Sequence, residues 1–220
     1  MFLNQEEKQQ ISQVIRDVES KTAGELVAVI ARASDDYLYI PLLWAATISL
    51  LVPGIFYYLA VGLGWGQACP DWGWRLPCDF SDLYIVQLSL FMLLALLFRW
   101  QPVKMLLVPH SVKQRRGNRH AYMQFHEQGL DKTNARNGIL IFVSIAEHYV
   151  EILADQAICE KIDHSQWQQI VDNFVKKIKS RQVVEGFIET INACGDSLAE
   201  HFPDQINDAD LLSDHLIEID

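Results

Sequence analysis

Residues 139 to 155 read ILIFVSIAEHYVEILAD, and four of them have side chains suited to chemistry: Glu147, His148, Glu151 and Asp155. Glu25 joins them as a further candidate. A hard cation such as Ca2+ or Mg2+ needs several converging carboxylate oxygens, and Asp155, Glu147 and Glu25 are the candidate set. A transition metal would take His148 with carboxylates. Strand alternation works against a single cluster. In an extended segment Tyr149, Glu151 and Leu153 share one face, while Val150 and Ile152 share the other. Glu151 is therefore expected to point away from the core. Glu147 and His148 are expected at a solvent-facing hairpin tip. Asp155 ends a strand where a loop begins, which makes it the best single candidate. Its competing role is to cap the helical turn that follows.

The remaining motif inventory is thin. The chain has no Gly-rich phosphate loop, no HExxH, no paired CxxC and no GxSxG. His110, His120 and His126 sit in or near a basic stretch and are expected to be solvated. Ser144 lies in an apolar run with nothing beside it to activate a nucleophile.

The elements that position these groups follow from periodicity. Asn137-Gly138 is a turn signal. Two β-rich runs, 139 to 145 and 149 to 153, flank the polar Ala146, Glu147 and His148, which reads as a β-hairpin. Residues 25 to 31, ELVAVIA, are apolar on both faces after Glu25, as a covered central strand would be. Upstream, Asn4 with Glu7 forms a capping-box pattern before a stripe of Ile11, Val14, Ile15 and Val18. Residues 111 to 128 are expected to be helical, with Ala121 and Phe125 inward and Gly129 as C-cap. The basic first half of that segment either lies against anionic lipid headgroups or is a solvated helix face that merely sets topology. Asp163 is placed to cap a helix with the stripe Trp167, Ile170, Val171, Phe174, Val175 and Ile178. A second helix carries Val184, Phe187, Ile188, Ile191, Cys194 and Leu198 on one face.

The 220-residue chain is half hydrophobic with a mean hydropathy of +0.06. That is high beside 21% charged residues, so the apolar residues must be concentrated. From Tyr37 to Pro70 there is no charged side chain, and a second apolar run extends from Leu83 to Phe98. Apolar helices of about 20 residues cross a bilayer. The sequence therefore predicts a two-span transmembrane hairpin, with spans near 38–63 and 83–100 and an outside loop at 64–82. Trp44, Tyr57, Tyr58, Trp65, Tyr84 and Trp100 fall near the span ends, as interfacial aromatic belts do. Lys and Arg gather on both flanks, while the loop has only Arg75. The positive-inside rule then places both termini in the cytoplasm, and no secretory leader opens the sequence. Cys69 and Cys78 both fall in the outside loop, where a disulfide would persist. Cys159 and Cys194 are expected as buried free thiols.

The net charge of −10 gives no positive field to draw nucleic acid. The end of the chain, 204 to 220, is acidic and is expected to be a solvated tail. The resulting fold is a small α/β sandwich interrupted by the hairpin. Its parts are 1–36, the hairpin at 37–100, and 101–203.

The segments TAGELVAVIA, NGILIFVSIAEHYVEILAD and GFIETINACGDSLAEHFP, in that order, resemble the TPM domain family. The ending His201-Phe202-Pro203 resembles its bacterial membrane-protein branch. The resemblance covers the chain outside the hairpin and implies an α/β sandwich at a bacterial inner (plasma) membrane. Some TPM domains are described as acid phosphatases whose acidic residues hold a divalent cation. Others are linked to photosystem repair or respiratory-complex assembly. Family members carry a GYG stretch after the second hairpin strand, whereas this chain reads ADQAI from Ala154 to Ile158. Nor is there an aspartate-rich loop after the first strand, where Asp35 and Asp36 directly precede the apolar run. Two functions remain. The first is a non-catalytic accessory or assembly module that binds a protein partner. The second is a divalent-metal-dependent phosphatase built on Asp155 with Glu147 or Glu25.

Overall fold

The computed structural model describes residues 3–63, 80–132, 136–162, 164–203 and 216–219. The proposed bridge partners Cys69 and Cys78, the loop that holds them and the helix-capping Asp163 lie outside the described residues. The chain divides into two compact units, one of Met1–Asp35 with His110–Asp220 and one of Asp36–Pro109.

The first unit is built on a four-stranded sheet. Helix α1 (Gln5–Glu19) opens it, and the expected capping box is formed: Glu7 N–H donates to Asn4 Oδ1 at 2.8 Å, and Asn4 N–H donates to Glu7 Oε2 at 2.7 Å. Strand β1 (Glu25–Ala31) follows and is buried from Leu26 onward. After the second unit come α5 (His110–Glu127), β2 (Gly138–Ser144) and β3 (Tyr149–Ala154). The short α6 (Gln156–Cys159), α7 (His164–Lys179), α8 (Val183–His201) and β4 (Ile217–Ile219) complete it. The strand order is β3-β2-β1-β4. β1 runs parallel to both β2 and β4, and β3 returns antiparallel to β2.

Alternation sorts the strand side chains between two cores. One face holds Leu26, Ala28, Ile30, Ile139, Ile141, Val143 and Val150 under α1, α7 and α8. Those helices contribute Ile11, Ile15, Phe174, Phe187, Ile191 and Leu198. The other face holds Val27, Val29, Leu140 and Phe142 under Ala121 and Phe125 of α5. Each fully buried Val, Leu, Ile or Phe among them contributes about 1.5–3 kcal/mol. With helices on both faces, a strand needs apolar residues throughout, as β1 and β2 have.

Gly117 and Gly24 are among the glycines set by close approach. Gly117 lies inside α5, where glycine costs about 1 kcal/mol relative to alanine. A Cβ there would lie 2.4 Å from Cδ1 of Tyr149, so its absence lets that ring lie against the helix. At Gly24 a Cβ would meet Leu198 Cδ1 at 2.8 Å. Here the TAGE turn docks on the chain's HFP segment. Thr22 Oγ1 donates to the Phe202 carbonyl at 2.7 Å and accepts from Gly24 N–H at 3.1 Å. Gly129, with φ +76°, ends α5 as expected.

The acidic end corrects one expectation. Leu216 is buried, and Ile217–Ile219 is a strand instead of a solvated tail. The alternating Ile217 and Ile219 pack on the α5-side core, and Glu218 pairs with Lys8 of α1.

The second unit contains α2 (Tyr39–Gly62), α3 (Phe80–Leu97) and α4 (Gln101–Leu107). α2 and α3 pack together, and Leu42, Leu50, Ile55, Ile85, Leu88 and Leu93 remain exposed. Within α2, Tyr39–Leu59 is long and apolar enough to cross a membrane. α3 runs through the second expected span, 83–100, as far as Leu97. Leu83–Leu97 and Gln101–Leu107 meet at a bend of 106°. Pro102 lies in the first turn of α4, where proline starts a helix and cannot continue one. α4 thereby belongs with the apolar unit, although the sequence reading assigned it to the returning domain.

Candidate functional site

The β2–β3 hairpin puts the candidate residues at its two opposite ends. At the turn, Ile145 to His148 connect the strands, and His148 takes the left-handed φ of 50°. Glu147 is buried, contrary to the expected solvent-facing tip. Its Oε1 accepts the backbone N–H of Ser34 at 3.0 Å, and its Oε2 accepts the hydroxyl of Ser144. Ser144 is itself fully buried, so its hydroxyl is out of reach of a substrate. The carboxylate therefore ties the hairpin turn to the loop after β1. His148, the adjacent residue, is exposed, so the pair does not converge.

Glu151 lies on the face it was expected to share with Tyr149 and Leu153, but α5 covers that face. It accepts from Asn118 Nδ2 at 2.8 Å and from the Tyr149 hydroxyl. Burial, and then the neighbouring carboxylate, push the Tyr149 phenol well above its ordinary pKa.

Asp155 sits at the other end of β3. Strand rise puts it about 20 Å from the hairpin turn. It caps α6, with one oxygen accepting Gln156 N–H at 2.6 Å, while Oδ2 is buried without a hydrogen-bond partner. Its own N–H donates to the Gly138 carbonyl at 3.0 Å. Burial and then the Asp155 charge raise the pKa of the nearby Cys159 thiol. Glu25 begins β1 in register with Gly138. It is thus two strands from Asp155, about 10 Å by strand spacing. The structure brings Glu25 and Asp155 to one edge of the sheet and takes Glu147 to the opposite one.

Among the described residues, no three His, Cys, Asp or Glu side chains group so as to hold a metal ion. Asp155, Glu147 and Glu25 therefore do not fit a common divalent-cation site. His110 and His126 are exposed, as expected, whereas His120 is half-buried. His126 Nδ1 meets Asp131 Oδ2 at 3.0 Å, and the His120 ring stacks at a tilt on Phe142 with centroids 5.3 Å apart.

Sequence reasoning missed the residues that organise these ends. Ser34 and Ser144 hold Glu147. Asn137 Nδ2 bonds the Ala23 carbonyl and ties β2 to the TAGE turn. The Asn-Gly pair signalled a turn, but nothing local signalled its distant partner.

Comparisons with known proteins agree with this architecture. Residues 102–197 match the model of the TPM domain family. The chain is similar in fold to the BA42 protein from the psychrophilic bacterium Bizionia argentinensis, whose structure was determined by NMR. The identity is 18% and the TM-score 0.57, over 99% of this chain and 96% of that one. No curated protein matches the chain. The matched stretch contains α5, the β2–β3 hairpin, α7 and most of α8, and β1 pairs along the whole of β2: residues 102–197 are similar to a TPM domain.

Proposed function

We propose that this is an integral membrane protein whose TPM domain serves as a non-catalytic accessory or assembly module for a protein partner. The observation that carries this reading is the use of Glu147 as a buried structural acceptor, remote from Asp155. A hydrolytic metal site needs carboxylates that converge, and these are divided between two ends of the sheet. A partner has a backbone edge to bind. β3 is an outer strand, and its Asp155–Gly138 bond sets the ladder's alternation. Val150 and Ile152 then turn their backbone groups outward, the arrangement that accepts an added strand. A groove of about 360 Å³ runs along this edge between Tyr122 and Trp167.

Membrane integration is supported by the apolar α2 and by the exposed leucines of both long helices. The Lys and Arg distribution supports a bacterial inner membrane location with both termini cytoplasmic. The competing reading, a divalent-metal-dependent phosphatase, is favoured by one feature, the unpartnered Asp155 Oδ2. Purified protein assayed on a generic phosphomonoester with Mg2+, Ca2+ or Mn2+ separates the two. The accessory reading expects no turnover. Metal-dependent turnover that disappears in Asp155→Asn overturns it.

A further inference from the structure

At the hairpin-turn end of the sheet a cleft of about 610 Å³ opens among three elements. The first turn of α5 contributes His110 and Lys113, the hairpin contributes His148, and the end of α7 contributes Lys179. Val171 and Val175 give it an apolar side. The carboxylate in its lining is Glu147, whose oxygens already accept from Ser34 and Ser144. Among the described residues neither Lys113 nor Lys179 forms an ion pair, whereas nearby Arg116 and Lys177 pair with Asp35 and Glu189. The cleft thus gathers two lysines against one carboxylate, and that carboxylate is engaged by neutral donors and forms no ion pair with either lysine.

Backbone electrostatics act in the same direction. α5 has no acidic residue in its first turn. The leading N–H groups of a helix lack partners within it, and its dipole is positive at that end. The carboxyl ends of the parallel strands β1 and β2 lie at this edge, where open α/β sheets place their ligands.

We infer that this cleft binds a phosphate-bearing anion, held by Lys113, Lys179 and the amino-terminal turn of α5 without a metal. The same chemistry is met by a free phosphate and by the headgroup of an anionic lipid. The inference is independent of the accessory reading, because binding here requires neither a protein partner nor turnover.

The test uses full-length protein in a neutral detergent, with melting temperature as the readout. One arm titrates inorganic phosphate at constant ionic strength, and the other adds phosphatidylglycerol to the micelles against a phosphatidylcholine control. A saturable rise in either arm is the expected result. A rise with phosphate identifies a soluble ligand, and a rise with phosphatidylglycerol alone identifies a lipid. K113Q/K179Q should weaken the responding arm by about tenfold, through loss of charge-assisted hydrogen bonds. R119Q, on α5 but outside the cleft, should leave it unchanged. No rise in either arm overturns the inference, as does a rise that K113Q/K179Q leaves intact. Should that pair lower stability without ligand, the charge-retaining K113R/K179R decides: retained binding supports the site and lost binding rejects it.

Discussion

Ser144 donates its buried hydroxyl to Glu147, and the same carboxylate takes the Ser34 N–H from the loop after β1. Removing it strands two donors at the hairpin turn. Glu147→Ala should destabilise the protein by about 1–3 kcal/mol, the cost of a buried group left unsatisfied. Glu147→Gln keeps one amide oxygen as acceptor and should cost less. Thermal melts of the three proteins in detergent check the order. Equal melting temperatures would remove Glu147 from its structural role.

Helix α8 meets α1 at Gly195, where an added Cβ would lie 2.4 Å from Val18 Cγ1. Alanine gains up to about 1 kcal/mol of helix propensity over glycine. Val18 is β-branched and cannot swing aside cheaply. Overpacking of about 1–3 kcal/mol should win, so Gly195→Ala lowers the melting temperature. V18A/G195A makes room for the methyl group and should show less than the sum of the two single losses. Additive losses would contradict this close packing.

Cys194 is buried as expected but Cys159 is exposed, so the two described cysteines should differ in reactivity. Burial pushes the Cys194 thiol up to about 12, and Cys159 is raised less, by burial first and then by Asp155. A raised thiol pKa means less thiolate, the reactive form, at any pH below it. Peptide-resolved alkylation at pH 8 should therefore label Cys159 first and Cys194 only on unfolding. Asp155→Asn removes a negative charge beside Cys159, lowers its pKa and should speed its labelling. Slower labelling in that variant would reverse the assigned sign.

The apolar unit should keep the protein in the membrane pellet after alkaline carbonate extraction. Leu50, 64% exposed on α2, tests this directly. Leu50→Lys places a charge near mid-helix at a cost of about 2.5–3.5 kcal/mol to insertion. Its extractable fraction should rise. Complete extraction of the unmodified protein would exclude integral membrane association.

Much of the architecture was readable because its signals are local. The hairpin, the α1 capping box and the amphipathic stripes of α7 and α8 each rest on residues within a few positions of one another. Asp155 as a helix cap was readable for the same reason. The last strand was not. Leu216, Ile217 and Ile219 carry the right alternation, but acidic neighbours mask it, and its partner β1 lies far back in the chain. The bend after α3 was also missed, since hydropathy ends the apolar run at Phe98 but records no change of direction.

By itself the sequence determined most of the strands, helices and apolar runs, and which polar residues they carry. Only the tertiary structure decided which of those residues meet. Glu147 is buried because Ser34, 113 residues away, reaches it across the sheet edge. Lys113 and Lys179 share a cleft because α5 covers one face of the sheet, α7 covers the other, and both reach the same end. Periodicity records which side of its own element a residue faces. Side chains from distant elements converge only once strand register and helix packing have placed those elements together.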